Sequence, residues 1–128
     1  MYCGGTLLSD HTSYKINVFH QVSLGAADTI RSKNLYEQEA ADVGVRVLSY
    51  RGDNGVYKCK EFKEDLLTWH QTMSYSGVGV HGQNRVAEGS ISTVVNSART
   101  MILHQDLLWL EQFDMQLCSF TLIHAAYL

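Results

Sequence analysis

Val45-Arg46-Val47-Leu48-Ser49-Tyr50-Arg51-Gly52-Asp53-Asn54-Gly55 is the stretch whose reading decides the fold. Val45, Val47 and Leu48 read as a short buried strand, and Asn54-Gly55 is turn chemistry that stops it, so Asp53 is delivered to a strand end. Upstream, Gly4 to Ser9 and Lys15 to Gln21 read as an antiparallel hairpin turned at His11-Thr12-Ser13, the second arm alternating Ile16, Val18 and His20 against Asn17 and Phe19. Ser23 is placed to cap a helix that runs to about Val43 and stops at Gly44, with Tyr36, Ala40 and Val43 on one face. Strand, helix and strand in that order imply a right-handed crossover and a mixed sheet.

Downstream, Lys60 to His70 reads as a second helix with Phe62, Leu66, Leu67 and Trp69 as its core side, followed by a short strand over Thr72 to Ser76. Cys59 stands at the cap position of that helix and caps poorly, a loss of about 0.5–2 kcal/mol. Gly77 to Gly82 reads as a flexible loop, and Val86 to about His104 as a long helix whose first turn carries Glu88. Phe113 to Leu128 reads as a final apolar helix, with Leu117, Phe120, Ile123 and Tyr127 needing a partner surface. An Asp closing a strand and a Glu opening a helix, 35 positions apart, are thus brought from different elements.

Four motifs fall in one order: Asp53-Asn54-Gly55-Val56-Tyr57, Lys60-Glu61-Phe62, His81-Gly82-Gln83-Asn84-Arg85-Val86-Ala87-Glu88 and Ala98-Arg99-Thr100-Met101-Ile102-Leu103. Together they resemble copia-type retrotransposon integrases, whose usual text is DNG before an aromatic residue, KEF, QNGVAER and AR(T/S)ML. The likeness extends upstream through Phe19 to Asp28 and downstream through Leu117 to Leu128, nearly the whole chain. It implies an α/β, RNase H-like mixed sheet flanked by helices, with residues 1–128 forming a partial integrase catalytic core domain.

The resemblance also implies a chemistry. Two-metal phosphoryl transfer on DNA requires carboxylates that converge on ions about 3.5–4 Å apart. Asp53 and Glu88 match the second and third metal-binding carboxylates, with Mg2+ or Mn2+ as the family's ion, while His81, Gln83, Asn84 and Arg85 match the segment that meets substrate DNA. The family's first catalytic Asp belongs to a first strand, and Gly5 to Tyr14 resembles the second, so the chain is expected to lack that strand and its carboxylate. Asp10 is accordingly expected at the hairpin turn and not among the metal ligands. The family pattern implies element-end and target DNA as partners, a homo-oligomer, and a nuclear or intracellular place within an active element.

The departures from the pattern are specific. The family commonly has Arg directly after the Glu and another basic residue one turn later; here Gly89 and Ser92 stand there, and Arg85 replaces a Gly. Each lost phosphate contact removes a salt-dependent share of affinity. The chain has no proline, where related sequences usually carry several.

Composition excludes other classes. With 128 residues, 45% of them hydrophobic, the chain is one domain at most and leaves no room for a separate DNA-binding module. A net charge of −3 gives no global attraction to a polyanion. Three cysteines without short spacing argue against a disulfide framework or a zinc knuckle, and no apolar stretch is long enough to span a membrane. Arg51-Gly52-Asp53 matches an adhesion tripeptide, but its Asp is claimed by the strand end. Asp53 could simply cap its own Gly turn, and Glu88 could be only a charge favoured by the helix dipole. Three function classes stay open: a strand transferase, a non-catalytic remnant of one, and an interaction module using an exposed sheet edge.

Overall fold

A computed structural model of the chain describes residues 4–77, 85–109, 114 and 116–128. Strand β1 (Gly4–Ser9) turns at Asp10 into β2 (Ile16–Gln21), with which it pairs. The connection is too short for a crossover, so the pair is antiparallel. Then follow α1 (Ala26–Asp42), β3 (Ser49–Gly52), a 3-10 turn (Val56–Lys58), α2 (Lys60–Thr68), β4 (Thr72–Tyr75), α3 (Arg85–Leu108) and α4 (Leu117–Tyr127). Strands β3 and β4 pair in parallel, from Ser49 opposite Thr72 to Gly52 opposite Tyr75.

The fold is the expected α/β combination of antiparallel and parallel pairing with helices, but hydrogen bonding resolves the described strands into two two-stranded sheets. The stretch expected as a buried strand explains part of this. Residues 45–48 lie outside any strand, Val45 and Leu48 are exposed, and pairing begins only at Ser49. β3 is therefore four residues long.

The chain divides into two compact units. Among the described residues, the first holds residues 4–6, 20–77 and Arg85, and the second holds Leu7–Phe19 and the residues from Val86 onward.

In the first unit, both α1 and α2 end in a left-handed residue that turns the chain back on the last carbonyls. Gly44, at φ 77°, donates its N–H to Ala41 O at 2.9 Å, and Val45 donates to Ala40 O at 2.9 Å. His70 does the same work for α2 at φ 53°, donating to Leu67 O, while Gln71 donates to Leu66 O. At the other end of α1, Ser23 is not the cap. Gly25 is, and Ser23 instead donates its N–H and hydroxyl to Asp28 Oδ2, both at 2.9 Å.

The buried face of α1 is Thr29, Ser32 and Lys33, not Tyr36, Ala40 and Val43; Val43 ends the helix and is 76% exposed. The reason is a polar interior. Lys33, 2% exposed, places Nζ 2.8 Å from Glu37 Oε1 and 2.9 Å from Asp65 Oδ2. Tyr50 and Gln71 both donate to Glu37 Oε1, at 2.5 and 2.6 Å, and Gln71 also donates to Val47 O. Burial raises the Glu37 carboxyl, but the hydrogen bonds from Lys33, Tyr50 and Gln71 outweigh it and hold the pKa below the usual value. Burial first, then the hydrogen bond to Glu37 and after it the Glu37 charge, push the Tyr50 hydroxyl well above its usual range. The apolar share of this unit is Phe62 and Leu66 of α2, with the Tyr57 ring edge-on to Phe62 at 5.4 Å. Leu67 and Trp69, expected in the core, are 73% and 55% exposed.

The second unit is built differently. Val94 and Ala98 of α3 and Ala125 of α4 form its buried centre, with Leu7, Ile16, Val18, Met101, Leu122 and Ala126 packed against it. Val94, Ala98 and Met101 lie at the i, i+4, i+7 spacing of one helix face. In α4, Leu117, Phe120, Ile123 and Tyr127 remain exposed; the helix uses its small-residue face instead.

Candidate metal and nucleic-acid site

Asp53 follows the last residue of β3, at the carboxyl end of a parallel strand pair, where ligands of open α/β sheets usually bind. Gly52 before it is closely packed by side chains. A Cβ there would lie 2.9 Å from Met73 Cε and 3.1 Å from the Tyr57 ring. Asp53 is exposed, and its Oδ1 accepts the Gly55 N–H at 3.1 Å, the local turn its sequence favours. Its charge also reaches Tyr57: burial, then Asp53, raises that hydroxyl, against a hydrogen bond with Thr6 that lowers it.

The turn is tied to the neighbouring strand. Ser76 donates its N–H to Gly52 O at 2.9 Å, extending the ladder by one rung beyond β4, and Asn54 Nδ2 donates to Ser76 O at 3.1 Å. Asn54 Oδ1 is buried and accepts no hydrogen bond among the described residues. In the sequence Asn54 reads only as turn chemistry, and its polar side chain within Asp53-Asn54-Gly55 is the available signal of this bond.

Glu88 lies in the first turn of α3 and is exposed, where a negative charge meets the positive end of the helix dipole. Arg85 begins the same helix, also exposed, with its charge opposed to that dipole. Gly89 has open space around it, since a Cβ there would meet nothing within 4 Å. Asp53 and Arg85 belong to the first unit and Glu88 to the second. His81, Gln83 and Asn84, and with them most of the expected loop, lie outside the described residues.

Asp10 sits at the hairpin turn, as expected. Its carboxylate accepts the N–H groups of Thr12 and Ser13 and the Ser13 hydroxyl. Those bonds, the Ser13 hydroxyl's first, hold its pKa below the usual value. Among the described residues no three His, Cys, Asp or Glu side chains gather closely enough to hold a metal ion. Asp53 taken alone has donor chemistry that suits a hard cation: a solvent-facing carboxylate that, among the described residues, accepts one hydrogen bond, from a backbone N–H. No described helix is long and apolar enough to cross a membrane.

No family profile matches the sequence, and no curated protein does. Solved structures match over 97% of the chain. A chain of the simian T-cell lymphotropic virus intasome, solved in complex with PP2A regulatory subunit B56 gamma, superposes with a TM-score of 0.72 at 13% identity; the present chain spans 46% of its length. The HTLV-2 integrase catalytic core domain in complex with magnesium is similar at 16% identity in both its trimeric and dimeric forms. The TM-scores are 0.65 and 0.63, covering 80% and 81% of those chains. At such identities the likeness is one of fold, and that fold is the retroviral integrase catalytic core.

Proposed function

We propose that residues 1–128 are a partial catalytic core of a copia-type retrotransposon integrase, a protein of DNA integration, with Asp53 and Glu88 as the descendants of two metal-binding carboxylates. The observation that carries this reading is Asp53 itself. The motif residue stands at the carboxyl end of a parallel strand pair, exposed, on a chain whose fold is that of integrase cores. Bound Mg2+ or Mn2+ would supply charge stabilisation at a phosphodiester. Asp53 and Glu88 would hold the ion, and Arg85, with His81, Gln83 and Asn84, would contact the DNA backbone.

A second reading, a non-catalytic remnant, is favoured by the neutral Gly89 and Ser92 on the exposed side of α3, where the family pattern places basic residues. DNA affinity built on phosphate contacts falls steeply with salt as such charges are removed. Self-association belongs to either reading. It is supported by exposed Phe120, Tyr127 and Leu107 in the second unit and by the trimeric and dimeric forms in which the HTLV-2 core was solved.

Two measurements test the proposal. Paramagnetic broadening by Mn2+ is expected at the amides of Gly55 and Gly89 over one concentration range, because both carboxylates would share an ion. Broadening at neither, or at only one, sinks the convergence of Asp53 and Glu88. Strand transfer on labelled element-end DNA, comparing the chain with an Asp53→Asn, Glu88→Gln version, then separates the two readings. Joined product from the first alone establishes catalysis; no product from either, with broadening intact, leaves the remnant.

A further inference from the structure

We propose that Asn54 is a positioning residue, whose side-chain amide fixes the Asp53 turn to the exit of β4 and so sets the direction of the Asp53 carboxylate. The inference rests on the proposed role of Asp53 as a metal ligand and extends it to a residue that touches no ion. Parallel strands have no hairpin to join their carboxyl ends, so β3 and β4 leave the sheet as separate segments. The last backbone rung is Ser76 N–H to Gly52 O. Beyond it, Asn54 Nδ2 donates to Ser76 O at 3.1 Å from a side chain adjacent to Asp53, and further along Tyr75 donates its hydroxyl to Tyr57 O at 2.8 Å. Among the described residues the Asp53 side chain secures itself within its own turn, on the Gly55 N–H. Without the amide link, the near side of that turn, Asp53 and Asn54, is released, while the Tyr75 hydroxyl on Tyr57 O still holds its far side.

The chemistry of Asn54 separates positioning from plain stability. Its Oδ1 is buried with no hydrogen bond among the described residues, which is a cost an apolar residue would not incur. What asparagine supplies in return is one directed donor. Aspartate has nearly the same shape but no donor when ionised, and would turn a carboxylate oxygen towards the Ser76 carbonyl. Alanine removes both the link and the stranded acceptor, so the two effects on stability oppose each other while the effect on the turn does not.

The test compares the full chain with Asn54→Ala, Asn54→Asp and a remote core variant, Leu66→Ala, by amide hydrogen exchange and by Mn2+ broadening at Gly55. The expected result for Asn54→Ala is a melting temperature close to that of the parent, with Ser76 amide exchange faster by up to about tenfold. Mn2+ affinity should weaken by roughly tenfold or more, as when a group that orients a ligand is removed. Asn54→Asp should match or exceed these effects, while Leu66→Ala should lower the melting temperature with Mn2+ affinity unchanged. Parental exchange at Ser76 in Asn54→Ala overturns the proposal, as does equal weakening of Mn2+ binding by Leu66→Ala. If the parent chain itself shows no broadening at Gly55, the metal role of Asp53 fails instead, and exchange at Ser76 alone decides the tether.

Discussion

The two units bury opposite kinds of chemistry. The first is closed by a cation, two carboxylates, a phenol and an amide that meet from α1, β3, α2 and the residue before β4; the second is closed by Val94, Ala98 and Ala125 with aliphatic neighbours. A buried ionic cluster is weak evidence of stability but gives each partner one place to be. An aliphatic interior specifies its partners less sharply, since apolar side chains of similar volume can replace one another there at little cost. The candidate carboxylates follow the division: Asp53 stands in the unit with the directed interior, Glu88 in the one with the aliphatic interior.

The largest break in this comparison should come from Lys33. Lys33→Met leaves the half-buried Glu37 and Asp65 without their cation, and is expected to cost up to about 3–5 kcal/mol. A Lys33→Met, Glu37→Gln, Asp65→Leu version keeps an acceptor for Tyr50 and Gln71 while removing every charge, and should recover most of the loss. Urea unfolding followed by NMR at residues of each unit checks both. Equal stability of the single and triple variants would show that the charges are not what closes the first unit.

In the second unit the matching cut is Val94→Ala, which removes buried methyl groups from a core of small side chains and should cost roughly 1–3 kcal/mol. The same urea series measures it. A larger loss than that of Lys33→Met would reverse the ranking of the two interiors.

These interiors also explain what could be read in advance. The hairpin, the stop at Gly44, the long helix carrying Glu88, the uncapped Cys59 and the strand end at Asp53 all follow from local chemistry, and all are present. The errors cluster in the first unit. There, apolar periodicity proposed Val45, Leu48, Leu67 and Trp69 for the interior, and the polar cluster occupies it. Lys33 and Glu37 were visible as an i, i+4 pair, but nothing local to either announces Asp65 or Gln71. The site was legible to the same depth: Asp53 and Glu88 as residues in a motif, but not the hydrogen bond by which Asn54 reaches Ser76.

pH should separate the units next. Glu37 has a depressed pKa, so its contribution is complete above its unfolded value of 4.5 and lost as pH falls through the lower folded value. Asp10 in the second unit has the same sign, so acid weakens both. Alkali does not. Tyr50 and Tyr57, both in the first unit, have raised pKa values, so their contribution is present below pH 10 and lost as pH rises beyond it. Methyl NMR at Leu66 and Ala125 between pH 9 and about pH 11 should show the first unit loosening before the second. Simultaneous loss would contradict the assignment.

The smallest effects are backbone adjustments, one in each unit. His70 holds a left-handed conformation that a side chain disfavours, so His70→Gly should relieve strain at the end of α2. Gly89 is the opposite fault, a glycine inside the first turns of α3 with open space where a Cβ would go. Gly89→Ala should stabilise the helix by about 0.8–1 kcal/mol. The same position tests the loss of phosphate contacts, because Gly89→Arg adds a charge at an exposed site where a Cβ meets nothing within 4 Å. Its DNA affinity at low salt should rise, and the dependence of log affinity on log salt should steepen by about one unit per added contact. If Gly89→Arg and Gly89→Ala gain the same stability but bind DNA identically, this face of α3 does not meet the phosphate backbone.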